Sequence, residues 1–107
     1  MPKIRNAESD ADVLTVEEQA VELPRLYRVL LHNDDFTTMD FVVGILQDIF
    51  QKSAIEAVSI MLKVHNEGIG VAGIYTYEIA KTKARKAMDR ARAREFPLLI
   101  TIEPEPG

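Results

Sequence analysis

The sequence contains no cysteine and no tryptophan, and only five glycines and five prolines in 107 residues. Without cysteine there are no disulfides, no thiolate catalysis and no thiolate metal site, and a cytoplasmic location is the default expectation. With only two histidines, His32 and His65, and no third ligand at useful spacing, a metal centre is not expected. No stretch approaches the roughly 20 apolar residues that span a bilayer, and Met1 to Gln19 lacks the apolar core of a signal peptide. Neither a membrane nor a cofactor is implied, and a monomer is the default.

Charge of one sign is scarce except at the start of the chain. Residues 1–24 hold six acids (Glu8, Asp10, Asp12, Glu17, Glu18, Glu22) against Lys3 and Arg5, which accounts for the whole net charge of −4. From residue 25 onward eleven acids balance eleven bases. Residues 1–24 also lack a sustained hydrophobic period, so they cannot bury enough surface to offset the entropy of ordering. They are expected to form a disordered acidic tail, with the folded domain running over 25–107.

Within that domain, Leu26 to His32 is rich in β-branched and aromatic residues and stops at Asn33-Asp34-Asp35, which reads as a strand followed by a turn. Met39, Val42, Val43, Leu46 and Phe50 then fall at helical spacing, with Thr37 or Thr38 as N-cap. Ser53-x-x-Glu56 forms a capping box for a second helix, in which Val58, Met61, Leu62 and His65 are expected on one face and Gly68 at the left-handed end. Val71 to Tyr75 predicts a short strand. A long helix follows from Thr76 to about Glu95, with Ala80, Ala84, Ala87, Met88 and Ala91 as a narrow packing stripe. Pro97 ends it, and Leu98 to Ile102 predicts a last strand. The order β-α-α-β-α-β implies an α+β fold, a three-stranded antiparallel sheet packed against three helices. Gly44, inside the first helix, predicts a closely packed neighbour there.

Chemistry is sparse. Asn33-Asp34-Asp35 is the densest polar cluster, and such triplets commonly do no more than make a turn and a cap. A lone histidine on an apolar helix stripe, as at His65, is ordinarily structural. The third helix carries Lys81, Lys83, Arg85, Lys86, Arg90, Arg92 and Arg94, which raises nucleic acid as a partner. Against RNA or DNA, the domain is neutral and no aromatic residues interleave with the basic run. No nucleophile, base and orienting group can be assembled, so an enzyme is not expected.

Taken together, Val29-Leu-Leu-His-Asn-Asp-Asp-Phe-Thr-Thr-Met-Asp-Phe-Val-Val43 resembles the signature of the ClpS adaptor family, an apolar strand running into NDDxTxMEFV. The similarity continues through Met61-Leu-Lys-Val-His65, the turn from Gly68 to Gly73, Thr76-x-Glu78-x-Ala80-x-Thr82-Lys83 and Pro97-Leu-Leu. It spans residues 25 to about 103.

The resemblance implies an adaptor that captures proteins with a free N-terminal Leu, Phe, Tyr or Trp, the substrates called N-degrons. It would hand them to a ClpA- or ClpC-type AAA+ unfoldase for degradation by ClpP. By position, Asn33, Asp35 and His65 correspond to the family's contacts to the α-amino group. Asp34, Thr37, Met39, Val42, Met61, Val64 and Leu98 correspond to the side-chain pocket, with Met39 as a flexible gate. Glu78 and Lys83 correspond to the unfoldase-docking positions. His32 stands where many members have Val or Leu, and is expected at the pocket rim, where it would narrow the choice of first residue. Phe36 and Thr38 replace a frequent Tyr and Pro. Two alternatives stay open: an unfoldase-binding inhibitor that has lost first-residue recognition, and an RNA-associated protein using the basic helix.

Overall fold

A computed structural model describes residues 23–107 and shows six elements in the expected order: β1 (Leu26–His32), α1 (Met39–Asp48), α2 (Ala54–Glu67), β2 (Ile69–Thr76), α3 (Tyr77–Ala93) and β3 (Leu99–Pro104). The acidic tail expected over residues 1–24 lies, apart from its last two residues, outside the described part. The sheet order is β2-β1-β3, and both pairings are antiparallel. β1 is therefore central, which is why its middle residues Val29, Leu30 and Leu31 are all buried.

Alternation along β1 divides the sheet into two faces. Val29 and Leu31 point into a core shared with Ile45 and Leu46 of α1, Ala80, Ala84, Ala87 and Ala91 of α3, and Ile100 of β3. The alanine stripe of α3 is buried along its length, so this helix lies close on the sheet, as its small residues imply. Arg28 and His32 lie on the other face. There Arg28 pairs with Glu103 at 2.9 Å, and His32 Nε2 shares a hydrogen bond with Thr101 Oγ1 at 2.8 Å.

Local signals set most boundaries. Thr38 caps α1 by accepting from the Phe41 N–H, and the Ser53–Glu56 capping box closes both ways at the start of α2. Gly68 ends α2 with φ of 90°, a left-handed conformation that suits glycine. β2 is longer than its apolar stretch predicts, because pairing with β1 runs from Ile69 to Thr76 around a bulge at Ala72. α3 stops two residues short of the expected end, where Glu95 turns to φ of 63° ahead of Pro97. Gly70 lets β2 approach α2, since a Cβ there would come within 2.7 Å of Val64 Cγ2.

One expected helix face proves only partly covered, and one packing expectation fails. The buried face of α2 is Ala57, Met61 and Val64, while Val58 and Leu62 are 41% and 44% exposed. Apolar residues occupy more than half the circumference of this helix, so spacing alone does not fix which part is covered. Gly44 has no close neighbour: nothing lies within 4 Å of a Cβ built on it. The basic run of α3 is also less free than its charge suggests. Arg90 pairs with Asp48 at 3.2 Å, and Arg92 donates to the carbonyls of Phe96 and Leu98, both at 2.9 Å. Arg94 lies over the rings of Phe41 and Phe96.

Candidate functional site

The polar cluster after β1 and the end of α2 are brought together by one backbone contact. The register that pairs His32 with Ile69 continues one step further, so that the Asn33 N–H donates to the Gly68 carbonyl at 2.9 Å. Asn33, Asp34 and Asp35 thereby come to the last turn of α2, where His65 and Val64 lie. α1 starts four residues later and supplies Met39 and Val42 from its first turns.

These segments enclose a cavity of ≈ 380 Å³, in the size range of small-ligand sites, roughly 300–1,000 Å³. Its apolar wall is Met39 and Val42 from α1 with Met61 and Val64 from α2. Its polar side is Asn33, Asp34, Asp35 and His65, and Phe36, Thr37 and Thr38 complete the loop.

The two aspartates of the loop differ in what they do. Asp34 is bound within its own turn: Oδ1 accepts from the N–H groups of Phe36 and Thr37 at 2.8 and 2.7 Å, and Oδ2 from the Thr37 hydroxyl at 2.7 Å. Partial burial pushes its carboxyl up, but the bonds from Thr37 and Phe36 and the positive charge of Arg92 outweigh it and leave the group below its ordinary value. Asp34 shapes the loop. Asp35 is exposed, and among the described residues its carboxylate takes no hydrogen bond, nor do the side chains of Asn33 and His65. Three groups able to accept from an ammonium therefore ring an apolar cavity with no partner among the described residues.

Nine of the ten residues expected at the first-residue pocket line this cavity. Leu98 does not line it. Its side chain is 1% exposed in the main core, because the residue enters β3 on the inward side with its carbonyl held by Arg92. His32 is not at the rim either: it sits on the outer sheet face beside Thr101. Phe36 and Thr38 line the cavity without having been assigned to it. Their place next to Asp34 and at the helix cap was the available signal.

Glu78 and Lys83 lie at a second cavity, of ≈ 350 Å³, with Ile49, Gln51, Ile79 and Lys86. Lys83 Nζ is engaged inside the molecule, donating to the Ile49 carbonyl and to Gln51 Oε1, both at 2.6 Å. Among the described residues, no group of three or more metal-ligating side chains is gathered, and no helix is long and apolar enough to cross a membrane.

A family model described as "ATP-dependent Clp protease adaptor protein ClpS" matches residues 22–101. Curated relatives named ATP-dependent Clp protease adapter protein ClpS include one from Desulfatibacillum aliphaticivorans, 57% identical over 94 residues that cover 88% of this chain and 90% of the relative. One from Myxococcus xanthus is 47% identical over 102 residues, 94% of this chain and 95% of the relative. Among solved structures, ClpS2 of Agrobacterium tumefaciens bound to L-phenylalaninamide superposes with a TM-score of 0.74 at 38% identity, covering 78% of this chain and all of that one. With a matched family model over most of its length and relatives of this identity, the chain belongs to the ClpS family of ATP-dependent Clp protease adaptors.

Proposed function

We propose that the cavity between the loop after β1 and α2 receives the first residue of another protein. The observation that carries this reading is the pairing of an apolar wall with three acceptors at its edge that have no partner among the described residues. Asn33, Asp35 and His65 accept from the free α-amino group, and the side chain of Leu, Phe, Tyr or Trp enters between Thr37, Met39, Val42, Met61 and Val64. Burying such a side chain contributes about 1.5–3 kcal/mol, enough to reject small and polar first residues. The A. tumefaciens relative supports the reading, because phenylalaninamide offers a free amine, a large apolar side chain and a capped carboxyl end, as a chain terminus does.

The captured protein is then delivered to a ClpA- or ClpC-type AAA+ unfoldase and degraded by ClpP. The face at Glu78 and Lys83 docks the unfoldase, and residues 1–24 are engaged by it during transfer. Fluorescence anisotropy with labelled peptides beginning with Phe, Leu, Trp, Tyr, Ile, Val and Ala tests the pocket. Phe and Leu peptides should bind tightly, and both N-acetylation and Asp35→Ala should abolish binding. No binding to any free N-terminus would sink the reading and leave an unfoldase-binding inhibitor. Removal of residues 1–20 should spare peptide binding and block degradation; undiminished degradation would refute the tail's role.

A further inference from the structure

The apolar arc of α2 extends past the cavity. At roughly 100° per residue, Ala57 and Val64 lie on the core side, Val64 also lining the cavity with Met61 and His65, and Val58, Leu62 and Ile55 follow in order on the far side of His65. Their exposures are 41%, 44% and 84%, and none of them belongs to the buried core. Glu56, Ser59, Lys63 and Asn66 take the remaining polar sector. Helices on globular domains expose the polar side and cover the apolar stripe, so this helix carries an uncovered apolar strip that begins where the cavity ends.

From this we infer that Val58 and Leu62, extended by Ile55, form a second contact zone for the substrate chain, taking apolar side chains at its second to fourth residues. The inference rests on the reading of the cavity as a first-residue pocket. If the amine is held at the rim by Asn33, Asp35 and His65 while the side chain fills the cavity, the carbonyl of the first residue leaves at that same rim. The strip starts beside His65. Three extended residues reach about 10 Å, and Val58 to Leu62 is one turn, about 6 Å along the helix. The next residues therefore lie over the strip if they follow α2. The occupant is an extended apolar segment of the substrate, and the strip adds preference without recognising sequence.

Binding of phenylalaninamide, of a Phe-Leu-Leu peptide and of a Phe-Ser-Ser peptide is compared for the full chain and for a Val58→Ser, Leu62→Ser double variant. In the unaltered chain the Phe-Leu-Leu peptide should bind about fivefold tighter than Phe-Ser-Ser, the size expected for taking roughly 40 Å² of apolar surface from water. In the variant the two peptides should bind alike, with phenylalaninamide held as before. No preference in the unaltered chain, or one that survives in the variant, overturns the inference and leaves the pocket standing. Failure of phenylalaninamide to bind the unaltered chain overturns the pocket and the strip together. A dimer that the double substitution dissociates assigns the strip to a second copy. A change in the Val58 and Leu62 methyl signals on removing residues 1–22 assigns it to the chain's own start. Either overturns the substrate reading.

Discussion

The Asn33 N–H donates to the carbonyl of Gly68 at 2.9 Å, joining the loop after β1 to the residue that ends α2. The carbonyl points there because Gly68 holds φ of 90°, so the candidate site is assembled by a backbone conformation outside the side chains that line it.

Gly68→Ala should test that dependence. A Cβ meets nothing within 4 Å, so the penalty is conformational, about 1 kcal/mol for a left-handed residue. We expect a lower Tm by thermal unfolding, and weaker phenylalaninamide binding as the loop loses its register against His65. A variant with unchanged Tm and affinity would show that the loop is placed by other contacts.

Asp34→Ala should remove the three bonds that close the loop and destabilise the protein by about 1 kcal/mol at neutral pH. The pH dependence follows from the lowered carboxyl. The unfolded chain binds the proton more tightly, so the stabilisation is complete above the ordinary value of 3.8 and is lost as pH falls below it through the folded value. The Tm gap between the native chain and the variant should therefore close on acidification below that value, and a gap independent of pH would contradict the assignment.

Much of this architecture is legible in the sequence because its signals are local. The capping box at Ser53 and Glu56, the glycine at 68 and the alanine stripe of α3 each specify their own neighbourhood. What was not legible depends on partners distant in sequence. Val58 and Leu62 have the spacing of a buried face, but coverage ends at Met61 because α1 and the sheet reach only that far round the helix. His32 follows the alternation of β1 to the outer face, away from the cavity formed by the loop it precedes. For the candidate site, the motif located the loop and α2, while the division of labour between Asp34 and Asp35 required the hydrogen bonds.

Gly44→Ala should stabilise the protein. The residue is helical in the interior of α1, it has no positive φ, and the added methyl has open space. The expected gain is about 0.5–1 kcal/mol, or roughly 2–8 °C in Tm. Gly44 also lines the groove between α1 and α3 with Asp48 and Arg90, so unchanged peptide binding in the stabilised variant would separate this surface from the candidate cavity. A loss of stability would mean that the open space is needed.

Lys83 and Glu78 are expected to act differently although both lie at the proposed docking face. α1 ends without a glycine cap and has no basic residue in its last turn, which leaves carbonyls at its negative end in need of donors. Lys83 Nζ supplies one to Ile49, and Gln51, held in place by Lys83 through Oε1, donates from Nε2 to the Asp48 carbonyl at 3.2 Å. Gln51 takes φ of 53° to do so. Lys83→Met should remove a charged donor from the partly buried Ile49 carbonyl and destabilise the fold by about 1.5–3 kcal/mol. Glu78 takes part in no hydrogen bond or ion pair among the described residues, so Glu78→Ala should leave stability within about 0.5 kcal/mol of the native value and weaken unfoldase binding alone. Thermal unfolding and a pull-down with the unfoldase, run on both variants at a temperature where each is folded, read the two effects separately. A Lys83→Met protein of native Tm that fails to dock would place the ammonium on the partner instead of on α1.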